Sequence, residues 1–171
     1  MDVTILTLAM LVQPELLVGR SQAHQIAKAI ATVAPRHRLD PSLLAAIAIA
    51  ESGGRNVVAH RRGRRRQGAD VGVFQIHCPT ASPSCIARYR DLSRSALAAA
   101  EILAEGRMLC AQPRTPRRRF CQDAYWARYN PGSKRWIHRV RDLWWRIRSH
   151  LEAHEPARRP RQGGSPHPGW T

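Results

Sequence analysis

From Ser21 to Ala34 apolar residues recur every three or four positions, with Ala23, Ile26, Ala27, Ile30 and Val33 on one face. That spacing predicts an amphipathic helix, and Pro35 ends it. Asp40-Pro41 is a helix start, a side-chain cap followed by proline in the first turn. The run from Ser42 to Glu51 is almost all Leu, Ala and Ile, which predicts a central, buried helix stopped by Gly53-Gly54. Residues 55–76 break the pattern. They hold Val57-Val58, a basic tract from His60 to Arg66, glycines, and then Val71 to Ile76. An irregular or hairpin β lobe is expected there. Helices are expected again from Ser93 to Leu109, from Arg118 to Tyr129 and from Ser133 to Leu151. The last carries one apolar stripe of Trp136, Val140, Leu143, Trp144, Ile147 and Leu151. From Glu152 to Thr171 the chain is Pro, Gly, Arg and His without periodicity, the composition of a disordered tail. The expected class is α+β, mainly α, with one domain over residues 21–151.

Residues 1–20 stand apart. Val3 to Val12 is an apolar run of signal-peptide length, too short to span a bilayer. No Lys or Arg precedes it and no small-residue cleavage site follows. Two readings stay open: an export signal, or a helix packed on the domain.

Charge narrows the class of partner. The 28 Lys and Arg outnumber the 12 Asp and Glu, giving a net +16, nearly all of it arginine. Such a field draws polyanions: nucleic acid, anionic lipid or an acidic cell wall. Four cysteines allow three pairings. The nearest pairs, Cys78 with Cys85 and Cys110 with Cys121, form the simplest pattern and would each close a short loop. Neither spacing suits a zinc site, so disulfides and an oxidising compartment are expected. No metal is expected.

The candidate chemistry starts at Glu51. Leu44, Ile47, Ala48 and Glu51 share one helix face, so a lone carboxylate ends an apolar stripe. It also lies in the last turn, beside the negative end of the helix dipole. Both effects disfavour the charged form and predict a raised carboxyl pKa, as a general acid requires. A helix-end Glu turned to solvent is the plainer alternative. Asp70, Gly72 and Gln75 fall in a strand-like run suited to a ligand groove: glycine admits close approach, and Gln offers both donor and acceptor to a sugar. Tyr129-Asn130-Pro131-Gly132 forms a turn, with Tyr125 and Trp126 just upstream. His77 has no convincing nucleophile partner and reads as structural.

In order, the chain has a Leu/Ala-rich helix ending in Glu51-Ser52-Gly53, then Gly72-Val73-Phe74-Gln75-Ile76, then Tyr129-Asn130-Pro131-Gly132. This resembles the lytic transglycosylases of the lysozyme-like superfamily, whose pattern is a Glu-Ser pair, a Gly-x-x-Gln segment and a Tyr-Asn-x-Gly segment. The resemblance covers about residues 21 to 148. It implies a helix-rich fold with a small β lobe and a groove for alternating N-acetylglucosamine and N-acetylmuramic acid. Glu51 would match the catalytic acid/base, and Ser52, Gly72, Gln75, Tyr129 and Asn130 would belong to the substrate-binding groove. Asp70 departs from many such enzymes. Around it the segment is similar to animal-type lysozymes and to the transglycosylases attached to secretion systems, where this Asp is the second active-site carboxylate. Its plainer role is an ion pair with nearby arginines.

The implied reaction cuts the bond between the two sugars and closes a 1,6-anhydro ring, with no cofactor. Attack by water instead would make the enzyme a lysozyme. The implied setting is periplasmic or secreted, with peptidoglycan strands as partner and envelope or secretion machinery nearby. A monomer is expected. A different class also accounts for the charge: a non-enzymatic cationic binder of cell wall, nucleic acid or membrane. No helix-turn-helix or finger spacing supports a specific nucleic-acid partner.

Overall fold

The computed structural model describes residues 17–60, 68–112, 121 and 124–154. The N-terminal apolar run, the tract Arg61–Arg66 and residues 155–171 of the expected tail lie outside these. Within them the chain is mostly helical, with one small antiparallel sheet, so the class is α+β and mainly α.

Helix α1 spans Arg20–Val33 and is followed by a short 3-10 turn, Pro35–His37. Helix α2, Pro41–Ser52, is the axis of the domain: every residue from Ser42 to Ile49 is buried. Its start is fixed by Asp40, whose carboxylate accepts from the Ser42 amide at 2.9 Å and from the Trp144 indole at 2.8 Å. Its end is fixed by Gly53, in the left-handed region at φ 62°. Strands β1 (Val57–His60), β2 (Ala69–Gly72) and β3 (Ile76–Cys78) form the sheet in sequence order, with Val58 opposite Val71 and Asp70 opposite His77. Helix α3 is Pro83–Arg90, α4 is Leu92–Ala111, a second 3-10 turn is Tyr125–Arg128, and α5 is Lys134–His154.

The main core wraps α2 with the buried faces of α1, α4 and α5. A separate small cluster of Ala69, Val71 and Cys78 lies under the sheet, packed against Ile86 and Tyr89 of α3. Disulfides join Cys78 to Cys85 and Cys110 to Cys121, the nearest-neighbour pattern. The first ties β3 to α3. Two disulfides fit an extracellular or otherwise oxidising setting. Among the described residues no helix is long and apolar enough to cross a membrane.

Three elements differ from expectation. Helix α3 was not foreseen, because none of its residues is buried and no apolar stripe marks it. Its signal is the cap: Ser82 accepts from the Cys85 amide, and Pro83 takes the first turn. Of the helix expected from Arg118 to Tyr129, Cys121 is helical, but the helix does not reach Tyr129. Ala124 is fully extended, and the next four residues form a 3-10 turn. Packing overrides propensity here. The Tyr125 carbonyl sits where a side chain on Gly106 of α4 would be, 2.6 Å from the site of a Cβ. Finally, α5 continues to His154, past the expected end at Leu151, where Arg148 donates to Glu152 at 2.7 Å one turn on.

Candidate active site

Glu51 is the penultimate residue of α2 and is half-buried. The helix end is anchored to the β lobe by the next residue. The Ser52 hydroxyl, buried, donates to the Val73 carbonyl at 2.7 Å. Val73, Phe74 and Gln75 form the turn between β2 and β3. Three successive carbonyls of this region are each held by a side chain. Gln75 Nε2 donates to the Gly72 carbonyl at 2.7 Å, Ser52 holds Val73, and the Tyr129 hydroxyl donates to Phe74. Gln75 Nε2 also reaches the Val57 carbonyl of β1 at 3.3 Å.

The turn has an unusual backbone. Gly72 has φ 81° and Gln75 has φ 51°, both in the left-handed region. For Gly72 the conformation and the space agree, since a Cβ there would stand 2.1 Å from the Tyr89 carbonyl of α3. Gln75 is not glycine, and its strain is offset by the two bonds its side chain makes.

Asp70 lies on β2 between buried Ala69 and buried Val71, so its side chain points to the opposite, open face. His77 does the same on β3 and is its cross-strand partner: Nδ1 stands 3.0 Å from Asp70 Oδ1. The neighbour of Asp70 shown here is therefore a histidine of the facing strand. Sequence reasoning set His77 aside as structural. The signal that finds it is register: the two residues are equidistant from the centre of a tight turn between alternating strands.

Tyr129 follows the second 3-10 turn. Its ring stacks on Trp136 at 5.9 Å, with planes 8° apart. Burial pushes its phenol well above the ordinary value near 10, and the charges of Glu51 and then of Asp70 push it further. Both carboxylates thus act on one hydroxyl, one from the end of α2 and one from the sheet. Asn130 and Gly132 continue the same turn. Asn130 is half-buried, and the Gly132 Cβ position is open.

The structure brings Glu51, Ser52, Asp70, Gly72, Gln75 and Tyr129 together around the β2–β3 turn. Ser52, Gln75 and Tyr129 are engaged in building that turn. Among the described residues no cluster of three or more His, Cys, Asp or Glu side chains is arranged to hold a metal ion.

The raised phenol has a consequence for pH. Its folded-state pKa exceeds the unfolded value, so its contribution to stability is complete below about pH 10 and is lost as pH rises beyond that. Denaturant titrations across the alkaline range are expected to show this loss, and Tyr129→Phe should make it shallower. An equally steep loss in the variant would show that another group is responsible.

No protein-family model, curated protein or solved structure matches the chain.

Proposed function

We propose that this chain is a peptidoglycan lytic transglycosylase with a lysozyme-like fold. The observation that carries the reading is that Ser52 pins the Glu51 end of α2 to the β2–β3 turn, with Asp70 on β2 leading into that turn and the Tyr129 hydroxyl bonded to it. A pair of carboxylates flanking the scissile bond is the usual requirement of glycoside cleavage. The Glu-Ser, Gly-x-x-Gln and Tyr-Asn-x-Gly segments, distant in sequence, meet at one turn, which supports the resemblance drawn from their order.

In this reading Glu51 donates its proton to the oxygen linking N-acetylmuramic acid to N-acetylglucosamine. As the bond breaks, positive charge develops at the muramic anomeric carbon, and Asp70 stabilises it. Glu51, now ionised, takes the proton from the 6-hydroxyl of the same sugar. That oxygen bonds to the anomeric carbon, closing a 1,6-anhydro ring and restoring protonated Glu51. No external water and no cofactor enters. Gly72 leaves the backbone open to the sugar, and Gln75, Tyr129 and Asn130 shape the groove. The working setting is periplasmic or secreted, close to envelope or secretion machinery, and the active form is a monomer.

Mass spectrometry of peptidoglycan digested by the purified protein tests this. Muropeptides ending in anhydromuramic acid are the expected product, and Asp70→Asn should lose most activity with its fold retained. Reducing-end products would make the enzyme a lysozyme. Release of nothing would leave the cationic binder as the better reading.

A further inference from the structure

Helix α5 has two faces of opposite character. Its buried stripe, Trp136, Ile137, Val140, Leu143 and Ile147, packs against the core around α2. Its outer arc carries six exposed cations, Lys134, Arg135, Arg139, Arg141, Arg146 and Arg148, against two exposed acids, Asp142 and Glu152. Arg148 is held by Glu152 at 2.7 Å. The arc is about 20 Å long at the rise of an α-helix. Towards its C-terminal end stands Trp145, 55% exposed, with the Arg148 guanidinium 5.8 Å from its ring centre. Its ring rests on Trp144 at 5.8 Å but is more than half in water amid cations, and an indole so placed suits a headgroup layer.

We propose that the outer face of α5 docks on an anionic phospholipid surface, with the arginines on headgroup phosphates and Trp145 lodged between headgroups. Charge favours any polyanion, but two further features select lipid. Single strands of nucleic acid bind on successive aromatic platforms, and among the described residues this arc presents Trp145 as its one large exposed aromatic. The two disulfides fit an oxidising compartment, where membrane leaflets are at hand and nucleic acid is scarce. The apolar stripe of α5 stays in the core, so the contact is peripheral and salt-sensitive.

The test is flotation of the full chain with vesicles of phosphatidylcholine alone, or with phosphatidylglycerol added to about 30%. Binding is expected only to the anionic vesicles and should fall steeply with added salt. Arg135→Glu with Arg139→Glu should weaken it at least about tenfold. Arg20→Glu with Arg36→Glu, the same change of net charge on α1 and the turn that follows it, should weaken it far less. Trp145→Ala should weaken it several-fold at unchanged charge. Circular dichroism checks that each variant is folded. The proposal is overturned by absence of flotation, by equal weakening in both charge-reversed pairs, or by polyuridylate binding through the same arginines without vesicle binding. Flotation is read without wall cleavage, so it stands or falls separately from the catalytic reading.

Discussion

Glu51→Gln is expected to lower glycan cleavage by about 10²- to 10⁴-fold, the range that a positioned general acid contributes. The substitution keeps the shape of the side chain and its place in the last turn of α2. It removes the only function the proposed reaction takes from it, a proton that leaves and returns. A thousandfold loss corresponds to about 4 kcal/mol of transition-state stabilisation. Stability should change by far less, because the core around α2 is built from Leu, Ala and Ile before Glu51 is reached. A second readout ties the residue to its place. The Glu51 charge is one of those holding the Tyr129 phenol protonated, so the variant should ionise Tyr129 at a lower pH than the parent, with burial still keeping it high. Activity retained in Glu51→Gln would end the transglycosylase reading, whatever the phenol does.

Gly72→Ala should destabilise the fold by about 3 kcal/mol or more. Two independent costs add. An Ala at φ 81° is strained on its own, and its Cβ would lie 2.1 Å from the Tyr89 carbonyl. That carbonyl belongs to α3, which Cys78–Cys85 ties to the sheet, so neither side can easily move away. For a domain of this size the melting temperature should fall by about 10 °C. Gly132→Ala is the matched control, since nothing lies within 4 Å of its Cβ position and its φ is ordinary. Calorimetry of the two variants separates them. Similar melting temperatures would mean that the turn relaxes more than its contacts suggest.

Helix α2 was legible in the sequence because its signals agree: a capping Asp, a proline in the first turn, an unbroken apolar run and a terminal glycine pair. The basis of α5 was equally plain in the recurrence of Trp136, Val140, Leu143 and Ile147. Helix α3 escaped because none of its residues is fully buried, and periodicity detects burial rather than helicity. The segment before Tyr129 was misjudged because its shape answers to Gly106 on another helix. At the candidate site, residue types and order were readable, but the hydrogen bonds that build the turn were not. Ser52, Gln75 and Tyr129 look like sugar-facing groups in a linear motif. In the fold their polar atoms are given to backbone carbonyls at separations of 21, 3 and 55 residues. Hydrogen bonding of that kind leaves no pattern in a sequence. The Asp70–His77 pair does leave one, through strand register, once the turn between them is known.

The clamp on the β2–β3 turn joins partners from three separate stretches of chain, and this bears on the order in which the molecule assembles. Bonds spanning 21 and 55 residues close long loops, so they carry an entropic cost that neighbouring helices must first offset. Helices α1 and α2 can dock while Tyr129 is still far from Phe74. The clamped turn is then among the last features to form, and a chain caught short of completion is helical and compact but lacks the candidate site.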